Sequence, residues 1–260
     1  MIVDCVFFGG ELEMLKGRLE TLGEHVDKFV IVEGEYQFQN QYKGYVLNDN
    51  MSFISGYEDK VIYHKVDSLM SNDPWANENK QRRGFEDVLN GMSLSDSDIV
   101  TVCDVDEWWS VGDIEKTETI STMNSVKFNM SLHWLHKREQ TGIISQWGFL
   151  KGKDLDFVRR HQRHTFPEVF ESFHYTSMGS YEYLLKKMKG YAHSEFNTSN
   201  IDEQLLDQWT NGHFYGEVFS EVDFDDSTPA YVRDYKFPLD WYRKRADQDL
   251  SEKYISDRCI

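Results

Sequence analysis

Proline is scarce in this chain, 4 in 260 residues, and no stretch is rich enough in Pro, Gly or Ser to act as a linker. A single folded unit over residues 1–260 is therefore expected. Cysteine is equally scarce. Cys5, Cys103 and Cys259 are odd in number and far apart, which argues against a disulfide framework or a zinc cluster and for buried free thiols. No apolar run approaches the ~18–20 residues that a membrane-spanning helix needs. The opening Met1-Ile2-Val3-Asp4-Cys5 is too acidic for a secretory leader and lacks a basic start. A soluble, cytoplasmic protein without signal peptide or transmembrane segment is the expectation. Positive charge is also in deficit, with 28 Lys+Arg against 45 Asp+Glu and a net charge of −17. That excludes capture of nucleic acid or anionic membrane by general charge attraction, and leaves room for a bound cation or a local basic cleft.

What the chain has in quantity is apolar and aromatic surface. Apolar residues make up 40% and aromatics 15%, including 7 Trp, 14 Tyr and 17 Phe, enough for a sizeable core. Residues 2–8 form a β-type apolar run broken by Gly9-Gly10. Leu12, Leu15, Leu19, Leu22 and Val26 then recur at helical spacing, and residues 28–33 form a second apolar run. Strand–helix–strand at this spacing predicts a parallel sheet with a right-handed crossover. The pattern further predicts a loop over 34–60, strands over 60–66 and 98–103, and one helix over 77–89. Beyond these it predicts strands over 125–135 and 144–150, helices over 180–191 and 201–209, and a short last helix over 239–246. The fold class is α/β with helices flanking a mixed sheet.

Asp104-Val105-Asp106-Glu107 follows the 98–103 strand directly. Alternate residues at a strand end project to the same side, so Asp104 and Asp106 can converge at the carboxyl edge of the sheet, where open α/β folds seat ligands. Hard oxygen donors there suit Mg²⁺ or Mn²⁺, the remaining positions going to water and substrate phosphate. Asp is also common in turns and caps. The apolar strand before it, the third acid and the adjacent Trp108-Trp109 favour the metal site. Two histidines, His174 and His193, stand among aromatics and acids and are candidates to complete the coordination, or else hydrogen-bonded core residues. Arg159-Arg160-His161-Gln162-Arg163-His164 is the densest basic run, and Arg82-Arg83 a second. Arginine forks match phosphate oxygens, although either run also serves as a solvated face. No phosphate-binding P-loop, no dinucleotide glycine fingerprint and no Gly-x-Ser-x-Gly elbow is present.

These residues together resemble glycosyltransferase family 17, which includes the bisecting β-1,4-mannosyl-glycoprotein N-acetylglucosaminyltransferases and many bacterial and viral relatives. Phe8-Gly9-Gly10-Glu11 with Leu15, Arg18 and Leu19 is similar to its opening "F-x-x-E-x-x-x-L-x-x-R-L". Val26 to Glu33 is similar to its second strand, Glu78 to Arg82 to its "E-x-x-x-R" helix and Asp104 to Glu107 to its "D-x-D-E" turn. Phe173-His174 with Ser177 and Gly179, and Lys187 through Ala192-His193-Ser194-Glu195-Phe196, resemble two later segments. The likeness is collinear over residues 2–198. Ser172-Phe173 stands where the family has Gly-Trp, and Trp108-Trp109 where it has Ile-Pro.

The resemblance implies a GT-A type, Rossmann-like mixed sheet whose N-terminal part is mostly parallel and carries a metal-binding Asp-x-Asp turn. It implies transfer of N-acetylglucosamine or a similar hexose, with inversion, from a nucleotide-diphosphate sugar, UDP-linked, to a hydroxyl acceptor. Residues 1–110 would bind the donor, 111–215 the acceptor and complete the metal site, and 216–260 form a tail. Asp106 would bind Mn²⁺ or Mg²⁺ with Asp104, His174 and His193 as further metal candidates. Phe8, Glu33, Arg82, Asp104, Arg160 and Arg163 are the donor-binding candidates, and Phe7 an alternative to Phe8. Glu195, Glu171 and Glu107 are the candidate bases. The acceptor is left open among a glycan, a protein, a small molecule and modified DNA. Two other readings stand beside this one: a metal-dependent phosphoesterase or nuclease using the same acids, and a non-catalytic carbohydrate-binding protein.

Overall fold

The computed structural model describes residues 1–67, 71–111, 114 and 117–244, with the side chains of residues 169–171 outside the description. Strand β1 (Ile2–Phe7) is followed by helix α1 (Leu12–Leu22) and strand β2 (Lys28–Gly34), which pairs with β1 in parallel. The helical leucine spacing puts Leu15, Leu19 and Leu22 on the sheet with no exposed surface. Each such burial contributes about 1.5–3 kcal/mol relative to exposure. Gly17 lies on the opposite face of the helix, where an added Cβ would stand 2.7 Å from the Trp108 ring, so the helix backbone rides directly on that indole. A 3₁₀ segment (Asn48–Ile54) interrupts the expected loop, and β3 (Val61–Val66) adds in parallel to β2.

The single helix expected over 77–89 is two, α2 (Pro74–Arg82) and α3 (Gly84–Gly91). Asp73 caps α2 by accepting from the Trp75 amide. Gly84 sits at the break because a Cβ there would meet His64, Val32 and Val66 at 2.9 Å, so the chain presses its backbone onto the sheet. Strand β4 (Ile99–Asp104) flanks β1 on its other side, again in parallel, with Phe7 level with Asp104. Then come β5 (Glu107–Trp109), β6 (Ser121–Asn129) and β7 (Trp134–Gln146). Two further expectations are corrected here. The strand expected over 125–135 spans the end of β6 and the start of β7, divided by a turn in which Met130 has a φ of 64°. The strand expected over 144–150 stops at Gln146, and α4 (Trp147–Leu150) is one helical turn.

A short α5 (Leu155–Phe157), a π turn (Val158–Gln162), β8 (Glu168–Thr176), α6 (Tyr181–Gly190) and α7 (Ile201–Asn211) follow. The chain closes with the short strands β9 (His213–Phe214), β10 (Glu217–Val218) and β11 (Ser220–Glu221), then α8 (Ala230–Arg233). The last helix expected over 239–246 is a 3₁₀ turn (Leu239–Tyr242), with residues 245–246 outside the described ones. The sheet runs β3-β2-β1-β4-β7-β6-β8-β5, with β11 on β7. Its first four strands are parallel, and β7 is antiparallel to β4, which makes the mixed α/β sheet that was expected.

Alternation along β1 feeds two cores, Val6 and Phe8 on the α1 side and Val3, Cys5 and Phe7 on the other. The C-terminal segment is part of this packing. Tyr231 and Phe237 lie 6.1 and 5.6 Å from the Trp108 ring, and Trp241 is buried in the same cluster. Cys5 and Cys103 are buried free thiols, and Cys259 lies outside the described residues. Among the described residues, no helix is long and apolar enough to cross a membrane.

Candidate functional site

A cleft of about 930 Å³ opens at the carboxyl ends of β1 and β4. One wall is apolar: Phe7 stacks on Phe38 at 5.5 Å between ring centroids, with Tyr36 beside them. The floor is the β4–β5 turn. Arg18, fully buried in α1, holds that turn from below. Its guanidinium donates to the Glu107 carbonyl, to the Asp104 carbonyl at 3.4 Å, and twice to Asp4 at 2.7 Å.

Above the floor the carboxylates are individually claimed. Asp104 accepts from Arg82 through one oxygen and from Arg159 at 2.9 Å through the other. Burial alone would raise its carboxyl, but the Arg159 and Arg82 guanidiniums hold it well below the usual range. Glu107 accepts from Arg159 at 2.6 Å and from the Asp104 amide at 2.9 Å. Arg82 also lies over the Phe7 ring at 4.7 Å, which ties the charged floor to the apolar wall.

Asp106 is placed differently. Its oxygens face His174 Nε2 at 3.7 Å and Lys187 Nζ at 3.6 Å, both longer than hydrogen bonds. Burial would raise its carboxyl as well, and Lys187 and His174 lower it. The backbone sets the pair: β5 and β8 are antiparallel neighbours with Glu107 opposite His174, and the Tyr175 amide donates to the Asp106 carbonyl at 2.9 Å. His174 Nδ1 is engaged by Glu139 at 2.5 Å, which turns Nε2 toward Asp106. A carboxylate behind an imidazole whose other nitrogen faces a second carboxylate is how metal-binding histidines are oriented. Among the described residues, no three His, Cys, Asp or Glu side chains form a closed metal cage. Magnesium-type sites need none, since one or two protein ligands leave the rest to water and phosphate.

The protonation of His174 has a testable sign. Burial would lower its pKa, but Asp106 and Glu139 outweigh burial and raise it to about 9. Its charged pairs therefore stabilise the metal-free fold fully below its unfolded value of 6.5, and that contribution is lost as pH rises through about 9. In metal-free buffer the melting temperatures of the parent and His174→Gln should converge between pH 6.5 and pH 9. A gap that is constant across that window would contradict the assignment.

Of the residues expected from sequence, the cleft gathers Arg82, Asp104, Asp106, Glu107, Arg160, Arg163, His174 and His193. Phe8 is not among them: it is wholly buried in the α1-side core, and Phe7 faces the cleft in its place, because adjacent strand residues point to opposite faces. Glu33 is also wholly buried. It accepts from Lys43, Tyr63 and the Val46 and Leu47 amides, so it anchors the 34–60 loop and does not face the cleft. Glu195 is exposed, pairs with His193 at 2.7 Å and stands outside the cleft lining. Glu171 lies on β8, with its side chain outside the described ones. Sequence reasoning missed Arg159 as the arginine that turns inward, and Glu139 and Lys187 as the partners of the Asp106–His174 pair.

The family model described as "Glycosyltransferase family 17" matches residues 1–204. No curated protein matches the sequence. Among solved structures, galactosyltransferase LgtC in complex with donor and acceptor sugar analogues aligns with a TM-score of 0.34 and 9% identity, over 65% of this chain and 66% of that one. An active-site mutant of LgtC aligns at 0.33 and 10%, over 65% and 66% of the two chains. The glycosyltransferase GlyE of Streptococcus pneumoniae TIGR4 aligns at 0.33 and 10%, over 85% of this chain and 45% of that one. The chain thus spans just under two thirds of the length of LgtC.

Proposed function

The chain belongs to glycosyltransferase family 17 and is a glycosyltransferase; from that premise we propose that it moves a hexose or N-acetylhexosamine from a UDP-sugar to a hydroxyl acceptor, with inversion and with Mn²⁺ or Mg²⁺. The observation that carries the reading is the Asp106–His174 pair, braced by Glu139 and set in a cleft ringed by arginines. Membership of a transferase family weighs against the phosphoesterase and the purely binding readings.

Phe7 and Phe38 offer a flat apolar wall for the nucleobase. Arg160, held by Asp156 at 3.0 Å, and Arg163 line the cleft and would offer their remaining guanidinium donors to the diphosphate. Arg82 and Arg159 act on the same charge indirectly, by keeping Asp104 ionised and still. Asp106 and His174 would hold the cation, with Asp104 beside them adding negative charge, and when bound it would supply Lewis-acid neutralisation of the leaving diphosphate. The acceptor O–H breaks as its oxygen bonds to the anomeric carbon, the proton passes to a carboxylate base, and the sugar–diphosphate bond breaks with its electron pair leaving on the diphosphate. Lys187 lies beside Asp106 to stabilise that departing charge.

A panel of UDP-, GDP-, CMP- and dTDP-sugars screened by thermal shift, with and without Mn²⁺, tests the proposal. A UDP-sugar should raise the melting temperature in a Mn²⁺-dependent way and be turned over to UDP. No shift and no turnover with any of them would overturn it.

A further inference from the structure

The family match ends at residue 204, yet the segment beyond it closes a second cavity, of about 320 Å³, against the first. The two share a wall. Glu11, Asp106, Tyr183 and Lys187 line both, and Lys187 spans the wall by pairing with Glu11 at 3.2 Å and Asp106 at 3.6 Å. Everything across that wall lies next to the proposed reaction centre. Its far side is formed by the 3₁₀ turn carrying Asp240 and Trp241, facing Glu13 and Met14 of α1 and the rings of Phe53 and Tyr175.

Two features of this lining call for an occupant. Asp240 is half-buried, and burial pushes its carboxyl above the ordinary range, with only its own backbone amide and the charge of Arg243 acting against it. Glu13 is without a hydrogen-bond donor among the described residues and opens into the same space. A partly desolvated carboxylate with acceptor capacity left over is satisfied by a ligand hydroxyl. Aromatic and methionine surface beside acceptor-only carboxylates matches a sugar ring, which has apolar C–H faces and a rim of O–H donors. The charge of the lining, Glu11, Glu13, Asp106 and Asp240 against Lys187, repels a phosphorylated or otherwise anionic occupant.

We propose that this cavity seats the acceptor as a neutral glycosyl residue, its ring against Trp241 and its hydroxyls on Asp240 and Glu13. The inference rests on the transferase reading and assigns acceptor choice to the chain beyond the family match. About 320 Å³ is at the small end of ligand sites, room for one ring of a glycan with the remainder outside.

The test is equilibrium binding, which needs no turnover. Saturation-transfer NMR with the methyl glycosides of glucose, galactose, mannose and N-acetylglucosamine, and with glucose 6-phosphate, is run on the full chain with UDP and Mn²⁺. At least one neutral glycoside should bind, and glucose 6-phosphate at least tenfold more weakly. Asp240→Asn and Glu13→Gln should each weaken that glycoside tenfold or more at unchanged melting temperature. Trp241→Phe, which keeps a ring, should weaken it less than Trp241→Leu. Absence of binding by every neutral glycoside, preference for the phosphorylated sugar, or binding unmoved by both carboxylate variants would overturn the proposal. Failure of the transferase reading looks different: glycoside binding sensitive to Asp240 without turnover of any nucleotide sugar.

Discussion

Arg18→Met should destabilise the fold by about 3–5 kcal/mol, the cost of leaving a buried charge without its partner. Arg18 and Asp4 are both fully buried and are bonded through two N–H···O contacts at 2.7 Å. Asp4 also accepts from Thr101 and from the Trp109 indole at 3.1 Å, and these neutral donors do not replace a guanidinium. Burial would raise the Asp4 carboxyl, and Arg18 brings it below its usual value, so methionine leaves an acid that must be protonated or hydrated inside the sheet. The same change removes the support under the Asp104 and Glu107 carbonyls. Urea denaturation gives the stability directly. A loss below about 1 kcal/mol would show that the pair is not the anchor described. Replacing both partners together, Asp4→Leu with Arg18→Met, should recover part of the loss because no charge is then stranded.

Asp106→Ala should lower kcat/KM for sugar transfer by about two to three orders of magnitude, or about 3–4 kcal/mol of transition-state stabilisation, with the fold intact. The two effects separate because neither neighbour is orphaned. Lys187 keeps Glu11 at 3.2 Å, and His174 keeps Glu139 at 2.5 Å. Asp104→Ala is a poorer probe: Arg82 keeps Glu78 at 3.0 Å and Arg159 keeps Glu107 at 2.6 Å, but two buried guanidiniums lose a direct ion pair at once. Initial rates across a Mn²⁺ titration, with melting curves on the same samples, distinguish lost chemistry from lost structure. Activity of Asp106→Ala within fivefold of the parent would remove Asp106 from the reaction.

The parallel part of the sheet was legible because each of its elements carries its own pattern: leucines at helical spacing in α1 and mainly apolar runs in β1, β2 and β4. The acidic turn was legible for the same reason, since it follows a run that declares itself a strand. What was hidden depends on parity and on distant pairing. Phe7 and Phe8 are indistinguishable in sequence, and one step of strand alternation decides which meets the cleft. Arg159, Arg160 and Arg163 look alike until the π turn over 158–162 buries the first against Asp104. Glu139 is one acid among 45 and gains its place only because the 13-residue β7 lies across β6 from β8, so that its side chain reaches His174 over the intervening strand. The tail showed little periodicity because Phe237 is buried against the Trp108 ring and Trp241 stacks on Phe237 in turn, contacts that no repeating face of the tail announces.

The register that sets Glu107 opposite His174 also governs how this site tolerates changes in chain length. One extra residue within β8 ahead of His174 would turn the imidazole to the opposite face of the sheet while preserving the ladder, and Asp106 would lose its neighbour without a single substitution. An insertion at the exposed tip near Gly216, where the chain already turns through a φ of 90°, changes no parity in β5 or β8. Length variants of this protein should therefore divide by odd and even inside that one strand pair, and scarcely at all in the outlying turns.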